Sequence, residues 1–346
     1  MALQERWSRT LINLNGAAAE AALGRGTAIF PGSKHHQERR SRQLPRVPLG
    51  DGGGILLLII TLFLQVNDMK QARKDAQGLA PFGLDPNALV LIDGKDIYST
   101  IKKHRYNGRI PRFRRIKGST ELYTSDTVMN NPQFVKAAII KQDTPDNEKI
   151  YYFFREDNPD WPRNSAAPKI ISRVAQLCKG DKEGSGSLSC SKWTTFLKAT
   201  LFCVDEATDR HFNHLQDIVI VESPVWSETA VYGLFSNEWD YSAVCVFSFG
   251  GISEVFRKSR LKGYNGKLPA IRPGQSAREE MTPQETFRVA DSYPEVLDKV
   301  KKQAVFYSEH HYQQMGVHQV QAADEASYNV LYLTTGVTRN CKLPLV

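Results

Sequence analysis

The chain has 346 residues, a formal net charge of +8 and 41% hydrophobic residues. This length accommodates one large or two ordinary domains, and the hydrophobic content is typical of a globular protein, which excludes a disordered chain. The basic run Lys102–Lys117 holds eight Lys and Arg residues. It is compatible with a solvated sheet edge or with a surface that binds sulfated glycans. Nucleic acid is not predicted as a partner, because no zinc-finger spacing or RNP-type aromatic motif accompanies the charge.

Residues 1–77 form a distinct N-terminal region that contains a short apolar run at 55–66. A helix of this length would span about 18 Å, less than the roughly 30 Å of a bilayer core. The run suits the apolar part of a secretory signal, a signal-anchor remnant, a buried strand or a core helix. The sequence offers neither a clear N-terminal signal peptide nor an apolar tail of the kind that precedes a GPI anchor, so membrane association is not encoded by a visible anchor.

Short apolar segments separated by turn residues begin after this region. The predicted strands are Ala88–Ile92, Phe134–Ile140, Ile150–Phe154, Ser172–Leu177, Phe196–Cys203, Asp217–Val221, Val231–Phe235, Ala243–Phe247, Val317–Gln321 and Val330–Thr334. Many short strands of this kind predict an all-β sandwich, barrel or propeller, and periodicity alone does not choose among the three. The segment Thr282–Gln303 is different, because the apolar spacing in its second half predicts a helix.

The chemistry-bearing residues do not form a catalytic or metal-binding pattern. The sequence contains no G-x-S-x-G, H-E-x-x-H or G-x-x-x-x-G-K-[ST] motif and no C-x-x-C pair. We therefore expect no enzyme activity, no cofactor and no metal site. The five cysteines are Cys178, Cys190, Cys203, Cys245 and Cys341. An odd count leaves at least one thiol free or paired between chains.

Five sequence blocks follow one another in a diagnostic order. They are FFRE within 153–156, SRVAQLCKGD at 172–181, KWTTFLKATLFC at 192–203, VYGLF at 231–235 and SAVC at 242–245. Their order and spacing resemble the sema domain of the semaphorin family, and the most similar group is class 7, whose members carry a GPI anchor. The resemblance implies an all-β, seven-bladed β-propeller with four antiparallel strands in each blade.

The resemblance extends over residues 78–337, and 338–346 are interpreted as a divergent tail. The strands supply about four blades, so we expect a propeller that is incomplete at both ends. The helical segment at 282–303 resembles the insertion that semaphorins carry in the fifth blade.

The resemblance also implies how the cysteines pair. It implies a disulfide between Cys203 and Cys245. The usual partner of Cys178 is replaced by Ser276, which leaves two interpretations open. Cys178 either pairs with Cys190, or both thiols remain unpaired.

A short motif follows the SRVA block. Lys179-Gly180-Asp181 stands where class 7 semaphorins carry the Arg-Gly-Asp that binds β1 integrins. One interpretation is an integrin motif in which Asp181 completes the coordination of the integrin's metal ion. The other is a family turn that closes the end of a strand.

The resemblance places the receptor-facing rim on two loops. The candidate contact residues are Arg112, Arg114, Arg115 and Trp161. The implied function is an extracellular or cell-surface signalling ligand that binds a plexin, with class C the expected class, and a β1 integrin. Such a ligand acts as a homodimer in axon guidance, cell migration and immune signalling. The alternatives are a truncated, non-signalling or decoy product and a basic protein that binds glycans through Lys102–Lys117.

Overall fold

The structure is a computed structural model. It describes residues 78–79, 88–102, 111–117, 120–142, 144, 148–161, 164, 167–277, 280–321, 327–335 and 340–344. The apolar run at 55–66, the rest of 1–77 and the basic residues between 103 and 110 lie outside the described residues. The chain divides into two compact units, and every element below belongs to the unit formed by Asn87–Ile101 and Tyr106–Val346.

The first sheet is an antiparallel meander of four strands. Its strands are β1 (Val90–Asp93), β2 (Asp96–Ser99), β3 (Arg114–Lys117) and β4 (Thr120–Tyr123). The turn between β1 and β2 requires a left-handed residue, which Gly94 supplies with a φ of 59°. Two of these strands, β3 and β4, lie in the basic and polar stretch that hydrophobic patterning did not assign to strands.

The second sheet joins two four-stranded meanders. The first meander contains β5 (Gln133–Ile140), β6 (Lys149–Asp157), β7 (Ile170–Cys178) and β8 (Leu197–Asp205), and the short β9 (Arg210–Phe212) pairs with β8. The second contains β10 (His214–Val221), β11 (Ala230–Ser236), β12 (Ser242–Ser248) and β13 (Val300–Ser308). A parallel pairing of β13 with β8, in which Val300–Gln303 lie beside Leu201–Val204, connects the two.

The third sheet follows in chain order. It contains β14 (Gln314–Gln321), β15 (Ser327–Thr334) and β16 (Asn340–Pro344), all antiparallel. Strand β16 lies within 338–346, the segment that the sequence analysis set apart as a divergent tail. Regular structure therefore continues past residue 337.

A long insertion between β12 and β13 carries two helices. Helix α1 (Phe249–Lys258) begins after Ser248, whose hydroxyl accepts a hydrogen bond from the backbone N–H of Gly251. Helix α2 (Gln284–Ser292) occupies the first half of the segment Thr282–Gln303, whereas the sequence analysis placed the helical pattern in the second half. The helix ends because Tyr293 precedes Pro294, and a residue before proline is disfavoured in the α conformation. Among the described residues, no helix is long and apolar enough to cross a bilayer.

The core consists of three clusters of buried apolar residues. The largest packs side chains of both meanders of the second sheet against Phe249, Ile252 and Phe256 of α1. A second cluster joins the first sheet to β6 and β7 through stacked rings, with Phe113 and Tyr152 centroids 4.4 Å apart. The third lies between β11, β12 and the third sheet. The predicted all-β class, with a helical insertion, is therefore confirmed.

Candidate functional site

The Lys179-Gly180-Asp181 turn follows the end of β7, and its carboxylate is buried. Asp181 is 2% exposed. Its Oδ1 accepts hydrogen bonds from the Glu183 backbone N–H and the Thr194 hydroxyl, at 3.0 and 2.9 Å. Its Oδ2 accepts three more, from the backbone N–H of Thr194 and from the backbone N–H and hydroxyl of Thr195, at 2.8 to 2.9 Å. The turn interpretation fits this geometry, whereas an integrin motif requires an exposed carboxylate with free lone pairs.

Lys179 is held by two carboxylates. Its Nζ lies 2.5 Å from Asp93 Oδ2 and 2.5 Å from Glu148 Oε2. Burial alone would lower the pKa of Lys179, but the hydrogen bonds to Asp93 and Glu148 outweigh it and raise that pKa. The cation of the motif thus links β7 to the first sheet and is not presented to a partner.

The three candidate arginines have three different environments. Arg112 is exposed and forms a bidentate pair with Asp126, with both N···O distances 2.6 Å. Arg114 is buried, 3.6 Å from Glu121, and burial lowers the pKa of its guanidinium. Arg115 turns inward and donates to the backbone carbonyls of Lys179 and Asp181, at 2.8 and 2.7 Å. Neighbouring residues of β3 point to opposite faces, and here Arg114 is buried while Arg115 is bonded to the turn after β7. A receptor contact through these two arginines stays a prediction.

Trp161 lies on the loop between β6 and β7 and is 38% exposed. The base of this loop is closed by Asn158, whose backbone N–H donates to Lys169 O and whose Nδ2 donates to Pro168 O, both at 2.8 Å. Its tip is tied to the insertion through Asp160, which pairs with Lys262 at 2.7 Å. The loop is therefore anchored at two points while the indole remains accessible.

A buried ionic network links this loop region to the insertion. Arg173 Nε donates to Glu156 Oε1 at 2.7 Å, and its terminal nitrogens donate to both oxygens of Glu295 at 2.7 and 3.0 Å. Lys198 Nζ donates to both oxygens of Glu156, at 2.7 and 2.9 Å. None of these residues was among the candidates predicted from the sequence. The signal was present, because Arg173 and Lys198 interrupt two apolar strands, and charges at such positions are paired when buried.

The cysteines have separate environments. A disulfide joins Cys203 of β8 to Cys245 of β12, the pair that the resemblance implied. The alternative bridge between Cys178 and Cys190 is absent, since both are free. Cys178 is buried beside Gly274, to whose carbonyl its thiol donates at 3.4 Å, whereas Cys190 lies on an exposed loop. Burial raises the pKa of the Cys178 thiol. Within the described ranges, no group of three or more His, Cys, Asp and Glu side chains is arranged to hold a metal ion.

The chain resembles known proteins both in sequence and in fold. Residues 215–343 match the family model described as the Sema domain. Semaphorin-7A of Mus musculus is 56% identical over 269 residues, which are 75% of this chain and 40% of that protein. The structure of extracellular domains 1–2 of Drosophila Semaphorin 1a matches with a TM-score of 0.64 and 26% identity, over 77% of this chain and 56% of that chain.

A further solved structure is titled Drosophila Plexin A in complex with Semaphorin 1b. It matches with a TM-score of 0.61 and 24% identity, over 78% of this chain and 58% of that chain.

The present chain spans 40% of the length of Semaphorin-7A. The four-stranded meanders are blades of a β-propeller of the sema type. This chain carries a partial sema domain and belongs to the semaphorin family.

Proposed function

We propose that this chain is an extracellular or cell-surface signalling ligand of the semaphorin type that binds a plexin. A class C plexin is the proposed receptor, and the proposed role is recognition rather than catalysis. The observation that carries the proposal is the loop between β6 and β7, which presents Trp161 on an anchored backbone.

The geometry of this loop suits a binding surface. Tryptophan is enriched among the residues that dominate the energy of protein interfaces. A loop already held in place loses little conformational entropy on binding, which favours affinity. The ion pair of Asp160 with Lys262 and the bonds of Asn158 supply this restraint.

The fold adds support, because one structure with a similar fold is that of a semaphorin in a complex with a plexin. Two copies of such a ligand acting as a homodimer would engage two receptors on one membrane and gain avidity without any new contact. The proposed settings are axon guidance, cell migration and immune signalling. Recognition of a β1 integrin through Asp181 would require its five hydrogen bonds to break, so the proposal is confined to the plexin.

The test is binding of the full chain, secreted from animal cells, to an immobilised class C plexin ectodomain. We expect saturable binding that Trp161→Ala weakens at least about tenfold, the loss expected for an interface anchor. Val225→Ala is the matched control, because Val225 is also exposed, at 49%, and lies outside the loop. Light scattering of the same material measures whether it is dimeric.

Absence of binding by a chain that melts cooperatively would overturn the proposal. Equal affinities of the wild type and Trp161→Ala would retain the ligand but remove this loop from its receptor face.

A further inference from the structure

A cavity of about 350 Å³ lies where three chain segments meet. It is lined by residues 168–170 before and at the start of β7, 213–214 at the start of β10, and 237–238 after β11. This volume is at the lower end of the range for small-molecule sites. Two lining residues, Pro168 and Lys169, also accept the hydrogen bonds of Asn158 that close the base of the loop carrying Trp161.

Asn237 contributes a buried donor to the lining of the cavity. The residue is 4% exposed, and its Oδ1 accepts the backbone N–H groups of Trp239 and Tyr241, both at 3.0 Å. These two bonds fix the orientation of the amide, so Nδ2 is the donor end. That nitrogen has no hydrogen-bond partner in the part of the chain that the structure describes. A buried donor without a partner is unfavourable. The nitrogen has almost no exposed surface, so a ligand oxygen removes the penalty when a small movement of the lining uncovers it.

The other polar groups of the lining do not share one sign of charge. Lys169 offers an ammonium group, and Glu238 offers a carboxylate. Burial, followed by the nearby guanidinium of Arg155, lowers the pKa of His214, which favours a neutral imidazole that can both donate and accept. Such a mixture suits a neutral ligand with several hydroxyl groups, because a carboxylate or sulfate would be repelled by Glu238.

Two exposed tryptophans are neighbours of residues that line the cavity. Lys169 Nζ lies 5.0 Å from the centre of the Trp161 ring, and Trp239 follows Glu238 with 70% of its surface exposed. Tryptophan is enriched at interfaces because its ring is apolar while its N–H can hydrogen-bond. An indole face is apolar, and its negative quadrupole attracts the C–H face of a saturated ring.

We propose that this cavity is a carbohydrate site that takes one neutral sugar ring. Its hydroxyl groups bond to Asn237, His214, Lys169 and Glu238, and its C–H face packs on an indole. The site goes beyond plexin recognition, because it is a property of the chain without a receptor, and it shares Trp161 with the proposed receptor face.

The experiment is saturation-transfer NMR on the full chain with methyl glycosides of galactose, glucose, mannose and N-acetylglucosamine as probes. A heparin oligosaccharide serves as the polyanionic competitor. We expect saturable transfer to at least one glycoside and no competition by heparin.

Two variants address the site directly. Asn237→Asp keeps an oxygen for the backbone N–H groups of Trp239 and Tyr241 but removes the amide donor, and Trp239→Ala removes an exposed ring. Each should lower the affinity for the glycoside at least about tenfold, the size expected for one lost partner. Leu188→Ala, at another exposed apolar residue (61% exposed), should leave the affinity unchanged. Thermal melting verifies that all three variants remain folded.

The proposal is overturned if no glycoside receives saturation from the folded wild type. It is equally overturned if Asn237→Asp and Trp239→Ala both bind as the wild type does, or if heparin displaces the glycoside.

Discussion

Arg173 and Glu156 form an ion pair of 2.7 Å in which neither side chain has any exposed surface. Glu156 also accepts from Lys198, and Arg173 also binds Glu295 of the insertion. Buried charges are tolerated only when each is paired with an opposite charge. The network therefore fixes β6, β7 and β8 relative to the segment that precedes β13.

Removing the charge of Glu156 should destabilise the fold strongly. Glu156→Gln leaves Arg173 and Lys198 as neighbouring buried cations, and breaking a buried pair costs about 3–5 kcal/mol. Urea denaturation of the variant and the wild type measures the difference in the free energy of unfolding. Asp126→Asn is the control, because it breaks the exposed pair with Arg112, which should cost no more than about 1 kcal/mol. Similar losses in the two variants would contradict the role assigned to the buried network.

The same network predicts a dependence of stability on pH. Burial alone would raise the pKa of Glu295, but the guanidinium of Arg173 outweighs it and lowers that pKa. A carboxyl whose pKa is lower in the folded state stabilises fully above its unfolded value, and the stabilisation is lost as the pH falls through the folded value. We expect the melting temperature to fall as the pH drops below about 4.3, the ordinary pKa of Glu.

Melting curves between pH 3 and 7 measure this dependence. Glu295→Gln should melt lower than the wild type at neutral pH, and its melting temperature should fall less in acid. Parallel curves for the two proteins would exclude Glu295 as the source of the acid sensitivity.

Much of this fold can be predicted from apolar patterning, but the charged strands and the site cannot. Strands β6, β7 and β8 carry enough buried residues to be recognised from sequence alone. Strand β13 was not predicted from the sequence, because Lys301, Lys302 and Gln303 are all exposed where it pairs with β8. The burial of Arg114 in β3 was not predicted, because a run of charge is typical of a solvated surface.

The helical insertion illustrates the same limit. The apolar spacing of Val296 and Val300 fits a helix, yet Val296 pairs with Leu261 and Val300 begins β13. Tertiary pairing overrides local periodicity there, and Pro294 ends the helix that precedes it. The paired charges of Arg173 and Glu295 are 122 residues apart, so no local pattern could bring them together.

Replacing Asp181 should destabilise the turn after β7. Asp181→Ala leaves the N–H and hydroxyl groups of Thr194 and Thr195 without their acceptor in a buried position. The expected loss in the free energy of unfolding is about 2–4 kcal/mol. Glu280→Ala, which changes an exposed acidic residue, is the control and should unfold as the wild type does. A stable Asp181→Ala variant with lowered integrin-dependent adhesion would instead restore the integrin interpretation of the motif.

A cysteine at position 276 should form a new disulfide with Cys178. The thiol of Cys178 lies against the segment that contains Ser276, since it contacts Gly274 O at 3.4 Å, and a Cβ at Gly180 would lie 3.9 Å from Ser276 Oγ. S276C should lose the alkylation of Cys178 under denaturing, non-reducing conditions, as read by peptide mass spectrometry. Closing a loop of about a hundred residues gives up to about 4.7 kcal/mol in the chain-entropy model, so the melting temperature should rise. Ser276→Ala controls for the loss of the hydroxyl. Because a reductant also opens Cys203–Cys245, reduced S276C should melt at the temperature of the equally reduced control. Alkylation of both the peptide containing Cys178 and the peptide containing position 276 in S276C would show that these two side chains do not meet.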